Sequence, residues 1–185
     1  MRSLLLPVLG TVMLAGCQQA DLPSYGVVPD FVLTSETGEE FASKAALDGN
    51  VWVANFIFTT CHGPCPRMSS QMRQVQEAVK GSQGVRLVSF TIDPANDTPP
   101  VLADYARRYK AEPGLWHFLT GPQETLHSLK RNAFMLGNVD GSLEHSTRFV
   151  LVDKKSRIRG FYATDEAESI PKLIADIRAL AKESF

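Results

Sequence analysis

The sequence predicts an α/β fold with a mixed central sheet flanked by helices, and two observations carry this prediction. Apolar runs typical of buried strands, at residues 51–58 and 85–92, each lead into a segment whose apolar residues have helical spacing. Two further strands, at 148–152 and 158–162, are joined by a polar loop and followed by an amphipathic helix. Alternating strands and helices that end in a hairpin indicate a layered structure with parallel and antiparallel pairing.

Turn and capping signals define the remaining elements. Short strands at residues 29–33 and from Phe41 predict an N-terminal β-hairpin, and residues 116–119 predict another strand. Pro64 and Pro66 suit the first turn of a helix, where a missing N–H costs little. Helices are predicted over residues 65–79, from Asp97 or Thr98 to Tyr109, over 123–134 and over 167–182. This order predicts a thioredoxin-like arrangement with an N-terminal hairpin and a helical insertion.

Composition narrows the class of protein. The 185 residues suit one domain plus a tail, and a hydrophobic fraction of 44% is enough for a globular core. The formal net charge is −1, without a strongly basic patch or a long acidic run. We therefore expect no nucleic-acid partner.

The first residues have the pattern of a targeting signal. Arg2 is followed by an apolar stretch at 4–15, shorter than the roughly 20 residues that a transmembrane helix needs. The stretch ends in Leu14-Ala15-Gly16-Cys17, which resembles a bacterial lipobox. We predict a signal peptide at 1–16, a lipidated Cys17 with a flexible tether at 17–27, and the domain at 28–185, on the periplasmic side of a membrane. The alternatives are an ordinary signal peptide or a membrane-anchoring stretch.

Cys61 and Cys65 form the principal candidate site. They follow the strand at 51–58, at the start of the predicted helix, and residues four apart share a helical face. The positive end of a helix stabilises thiolates, so we expect exposed, reactive thiols. The pair can bind one soft ion such as Cu(I) or close a disulfide. If Cys17 carries lipid, these two cysteines have no other cysteine to pair with.

Three further residues are candidates near the thiols. His145 precedes the strand at 148–152, and in a thioredoxin-like sheet that loop faces the thiol helix, so His145 is either a third ligand or a solvated loop residue. His62 lies between the thiols, where it can bind a metal transiently or tune the thiol pKa values. Asp93 ends a central strand, where α/β sheets place their sites, and it either orients a ligand or forms the turn before Pro94.

The other soft or basic ligands have simpler interpretations. Met68 and Met72 follow the thiols at helical spacing, and we expect them in the core rather than on a metal. His117 alternates with apolar residues on a strand and is expected to be structural. His127 is expected to be solvated on a helix.

Several separate motifs in one order point to a family. The chain resembles the Sco/SenC copper-chaperone proteins, which serve assembly of the dinuclear copper centre of cytochrome c oxidase, over residues 28–182. The motifs that carry the resemblance are Val28-Pro29-Asp30-Phe31, Asn55-Phe56-Ile57-Phe58-Thr59-Thr60-Cys61, Cys65-Pro66-Arg67-Met68, Asp93-Pro94-Ala95-Asn96-Asp97-Thr98-Pro99, Trp116 with Phe118-Leu119-Thr120-Gly121, and His145-Ser146 before Phe149-Val150-Leu151-Val152-Asp153.

The resemblance implies a thioredoxin-like fold in which Cys61, Cys65 and His145 hold copper, as Cu(I) or Cu(II). Asp93 then matches the family's acidic residue near copper, and a Cys61–Cys65 disulfide would block binding. The implied partners are the copper-centre subunit of the oxidase, other copper chaperones and thiol reductants. The chain departs from the family in placing an imidazole, that of His62, between the two thiols.

Two enzymatic alternatives use the same thiols. In a thiol–disulfide reductase that keeps a partner's copper-binding cysteines reduced, Cys61 would attack and Cys65 would resolve, while His145 would be nearly dispensable. A peroxide-reducing relative would need an arginine over the reactive thiol, for which Arg148 is the candidate.

Overall fold

The computed structural model describes residues 22–137 and 146–183. The strands are β1 (Gly26–Val27), β2 (Val32–Ser35), β3 (Glu40–Ala42), β4 (Val51–Ile57), β5 (Val85–Thr91), β6 (Trp116–Thr120), β7 (Arg148–Val152) and β8 (Arg157–Ala163). The helices are α1 (Ser43–Leu47), α2 (Pro64–Val79), α3 (Pro99–Arg108), α4 (Gln123–Ser128), which continues as a π-helical turn (Leu129–Ala133), and α5 (Ser169–Lys182).

The strands form one mixed sheet in the order β1-β8-β7-β4-β5-β6-β2-β3. β4, β5 and β6 are parallel, and the strands outside them pair antiparallel. The predicted mixed α/β fold is therefore confirmed. Trp52 pairs with Val152 and Ala54 with Val150, so β7 begins at the end of the sheet where β4 finishes.

Side chains of β4 alternate between two apolar layers. All seven residues of the strand are buried, as the apolar run predicts. Val53 and Ile57 join the layer formed with α2, α3 and α5, whereas Trp52 and Phe56 join the layer formed with α1 and α4. The strand end, which leads to the thiols, is thus held from both faces.

Helix α2 begins at Pro64, within one residue of the predicted start. Its Met68 and Met72 are fully buried in the core, as expected from their spacing. Helix α3 begins at Pro99, and the side chain of its N-cap residue Thr98 makes no capping hydrogen bond. The carboxylate of Asp97, the other expected cap, instead accepts hydrogen bonds from Thr59 and Thr91.

Residues 22–28, most of which lie in the segment assigned to the tether, dock against β8. The Tyr25 N–H donates to the Ile158 carbonyl at 3.0 Å. The Arg159 guanidinium donates to the carbonyls of Leu22 at 2.6 Å and Pro23 at 3.0 Å, and to the Asp153 carboxylate at 2.9 Å. In the described part of the chain, no helix has the length and apolar character needed to cross a bilayer.

Candidate functional site

The two thiols meet where β4 gives way to α2. Cys61 lies in the loop between these elements and Cys65 is the second residue of α2. Their side chains are hydrogen-bonded to each other, and neither is in a disulfide. Both are buried, with 8% of Cys61 and 2% of Cys65 exposed. The expectation of exposed thiols was wrong because Cys65 shares the core-facing side of α2 with Met68 and Met72, at helical spacing.

Burial also controls the protonation of Cys65. Desolvation raises the pKa of the Cys65 thiol to about 12, and the hydrogen bond with Cys61 and the negative charge of Asp97 act in the same direction. A backbone hydrogen bond from Phe58 lowers the pKa of Cys65 but only partly offsets this rise. For Cys65, the expected stabilisation of a thiolate by the helix N-terminus is therefore outweighed. At neutral pH Cys65 is a neutral thiol, and a metal ion that binds it must displace a proton.

A fully buried carboxylate, Asp97, lies beside the thiol loop. The Thr59 N–H donates to its two oxygens at 3.3 and 3.1 Å, and the Thr59 hydroxyl also donates to it. The Thr91 hydroxyl donates to the second oxygen at 2.5 Å. From the sequence alone, Asp97 is expected only to cap a helix. The missed signal was the pair Thr59 and Thr91, which follow or end neighbouring parallel strands and bring two hydroxyl groups to one sheet edge.

Asp93, the acid singled out from the sequence, is partly exposed at the same edge. Its carboxylate accepts from the Asn96 side chain at 2.8 Å, and its N–H donates to the Thr91 hydroxyl at 2.9 Å. It thus shapes the loop that carries Asp97. His62 is exposed, between the thiols in sequence.

His145 and Cys17 lie outside the described residues. Among residues 22–137 and 146–183, no group of three or more Cys, His, Asp or Glu side chains is arranged to hold a metal ion. The described part of the site supplies two sulfur donors in contact. Two such sulfurs fit a soft ion that accepts few ligands, such as Cu(I).

The remaining candidates have no evident place at the thiols. His117 packs against Phe41, with ring centroids 5.1 Å apart, and burial lowers the pKa of this histidine. His127 is half-buried on α4 rather than fully solvated. Arg148 begins β7 and is exposed, unlike an arginine packed over a reactive thiol.

Comparison with known proteins places the chain in a family. The SCO1/SenC family profile matches residues 19–182. The chain belongs to the SCO1/SenC family. Among its SCO1/SenC relatives, the SCO1 protein homologue of Bacillus subtilis is 31% identical over 170 residues, which cover 89% of this chain and 87% of the relative.

Solved Sco structures share the fold. A SCO1/SenC family lipoprotein from Bacillus anthracis is 28% identical with a TM-score of 0.77, over 88% of this chain and 99% of that one. BsSco, a Sco-family cytochrome c oxidase assembly protein with a disulfide switch, is 29% identical. Its TM-score is 0.76, over 90% of this chain and 99% of BsSco. The copper-bound ScoI of Bradyrhizobium japonicum has the same fold at 19% identity, with a TM-score of 0.68 over 84% and 99%.

Proposed function

We propose that this protein is an extracytoplasmic copper chaperone that delivers copper to the dinuclear copper centre of cytochrome c oxidase. Copper is its cargo, held by the sulfurs of Cys61 and Cys65 and an imidazole nitrogen of His145. The observation that carries the proposal is the contact between two free thiols at the end of β4. Support comes from the SCO1/SenC membership, from relatives crystallised with copper and from BsSco, which belongs to a family of oxidase assembly proteins.

The sheet register supports His145 as the third ligand. Ala54 pairs with Val150, so the chain that enters β7 at Arg148 comes from the end of the sheet where β4 leads to Cys61. His145 is three residues before Arg148, a reach of at most about 10 Å. We assign supporting roles to Asp93, through the loop it shapes, and to His62, as a surface group beside the entry to the thiols.

Oxidation would switch the site off. A disulfide between Cys61 and Cys65 removes both thiolate ligands, so only the reduced protein would take up copper. The hydrogen bond between the two side chains supports this, because it brings one thiol beside the other in the reduced protein.

Anaerobic competition for Cu(I) against a chelator tests the ligand set. The protein is reduced residues 18–185, compared with the His145→Ala and His62→Ala variants. We expect one tightly bound copper, with affinity lowered at least about tenfold by His145→Ala, equivalent to about 1.4 kcal/mol. His62→Ala should have a smaller effect because His62 is exposed. Tight binding that is indifferent to His145 would remove the Cys₂His assignment.

The same thiol contact favours a second function, thiol–disulfide reduction of a copper-site partner. Cys61 would attack the partner disulfide and Cys65 would then displace the partner thiol, releasing it reduced. The His145→Ala variant separates the two functions. It should keep reductase activity on a disulfide peptide while losing copper affinity.

We also propose that Cys17 carries the lipid that anchors the protein on the periplasmic side of a bacterial membrane. The order of charge, apolar stretch and Leu14-Ala15-Gly16-Cys17 supports this, as does the related SCO1/SenC lipoprotein of Bacillus anthracis. The mass of the mature N-terminal peptide tests it. An unmodified peptide that begins elsewhere than at Cys17 would contradict the proposal.

A further inference from the structure

The two thiols are held by different parts of the structure. Cys65 belongs to α2, whose Met68 and Met72 fix it in the core. Cys61 lies in the loop before α2, outside any helix or strand. The separation of the thiols therefore depends on what fixes this loop relative to the sheet.

Asp97 supplies that connection. Thr59, two residues before Cys61, bonds to the Asp97 carboxylate through both its backbone N–H and its hydroxyl. A carboxylate that accepts from a backbone N–H restrains the chain itself and not only a side chain. Asp97 is 38 residues away in sequence, so this is a tertiary restraint on the thiol loop.

The carboxylate is itself fixed to β5. Thr91, the last residue of that strand, donates its hydroxyl proton to Asp97 and uses its oxygen to accept the Asp93 N–H. The Asp97 N–H donates to the Asp93 carbonyl at 2.9 Å. Asp97 has no exposed surface, so water cannot readily take its place as the acceptor.

We propose that Asp97 is a positioning residue, which holds the Cys61 thiol against the Cys65 thiol by fixing Thr59 to the end of β5. Pre-ordering two reacting groups raises the effective concentration of one at the other. Loosening the restraint should therefore make the thiols poorer partners for each other, although neither cysteine has been substituted. The inference concerns the thiol pair of the proposed function, and it requires no copper.

The equilibrium with oxidised dithiothreitol measures this effective concentration. In the exchange, the protein forms one S–S bond and gives two electrons and two protons to the reagent, whose S–S bond breaks. The protein is residues 18–185, which contain every described residue and omit the third cysteine. Its oxidised fraction is measured over a series of ratios of oxidised to reduced dithiothreitol.

Two variants weaken the restraint to different extents. In Asp97→Asn, an amide that donates replaces one of two accepting oxygens, and we expect the equilibrium constant for disulfide formation to fall about tenfold or more. Thr59→Val removes the hydroxyl but keeps the N–H contact, and should cause a smaller fall in the same direction. Thr59→Ser keeps both contacts, so its equilibrium constant should equal that of the wild type.

Thr60→Val is the matched control. Thr60 is exposed and is closer to Cys61 in sequence than Thr59 is. We expect its equilibrium constant to stay within about twofold of the wild type, as for an exposed substitution.

A merely structural role for Asp97 gives a different result. It would lower the unfolding free energy of the reduced and oxidised forms equally and leave the exchange equilibrium unchanged. A folded Asp97→Asn protein with the wild-type equilibrium constant, or an equal loss in Thr60→Val, would overturn the inference. If Asp97→Asn does not fold, an unchanged constant in Thr59→Val overturns it. If residues 18–185 bind copper weakly while Asp97→Asn shows the expected fall in the equilibrium constant for disulfide formation, the copper proposal alone is rejected.

Discussion

Asp153 is a buried carboxylate at the end of β7, with 4% of its surface exposed. Burial raises its pKa, but hydrogen bonds from the backbone N–H groups of Arg157 and Lys155 and from the side chains of Arg159 and Arg157 outweigh that effect. The pKa of Asp153 therefore lies below its ordinary value of 3.8. A carboxyl group with a lowered pKa stabilises the folded state above its unfolded-state pKa, and this contribution is lost as the pH falls through the folded-state value.

Replacing Asp153 by Asn should lower the unfolding free energy at pH 7 by about 3 kcal/mol, because two arginines lose their shared carboxylate. The difference between wild type and variant should shrink as the pH falls from about 4, near the unfolded-state pKa, through the lower folded-state pKa of Asp153. Denaturant titrations at several pH values measure both effects.

Asp48→Asn is the control for this substitution. Asp48 pairs with Lys44 at 3.9 Å, with the same i,i+4 spacing as Arg157 and Asp153, but both members of this pair are largely exposed. Asp48→Asn should lower the unfolding free energy by less than about 1 kcal/mol. Equal losses in the two variants would show that burial of Asp153 carries no special weight.

Sequence reasoning located Cys61 and Cys65, because an apolar run followed by a proline-rich helix start fixes where β4 ends and α2 begins. It could not show that the thiols are buried or that Asp97 lies beside them. Both depend on contacts between residues far apart in sequence, such as the 38-residue separation of Thr59 and Asp97. Protonation of Cys65 was likewise missed, because desolvation is a property of the packed structure.

Helix α2 carries Cys65 on the side that it buries. Met72 lies two turns further along on that side, with no exposed surface. Met72→Ala should lower the unfolding free energy by about 2–5 kcal/mol, through lost burial and the cavity left behind. Gln74→Ala, at an exposed position of the same helix, should change it by less than about 0.5 kcal/mol. Thermal and denaturant unfolding of the two variants tests this contrast. Similar losses of unfolding free energy in both would contradict the assigned orientation of α2.

Elements with a clear local pattern were predicted, whereas β1 and α1 were not. β4, β5, α2 and α5 all lie within two residues of their expected bounds. β1 has two residues and exists through its pairing with β8, which no local pattern reveals. α1 has five residues, too few for a periodic signal.

Arg159 connects the N-terminal segment to the rest of the molecule through Leu22, Pro23 and Asp153. Arg159→Lys should release this segment, because an ammonium group cannot reproduce the planar set of donors. We expect hydrogen exchange at the Tyr25 and Val28 amides to accelerate at least about tenfold, with little change in β4 and β5.

Arg157→Lys controls for the loss of a guanidinium from Asp153. Arg157 pairs with the same carboxylate but is more exposed, with 40% of its side chain accessible. Arg157→Lys should leave the Tyr25 and Val28 amides close to their wild-type exchange rates. Equal acceleration in both variants would attribute the effect to Asp153 and not to the contacts with Leu22 and Pro23.

Docking of the N-terminal segment limits how far the domain can travel. Five residue steps separate Cys17 from Leu22, and they extend to at most about 18 Å. A lipid on Cys17 would thus confine the protein to a thin layer above the bilayer, where its local concentration near a membrane-bound recipient is high. Arg159 joins Leu22 to Asp153, beside the start of β4, whereas the thiols follow the far end of that strand. If the protein delivers copper as proposed, its recipient should present the copper site above the bilayer surface and not at the headgroups.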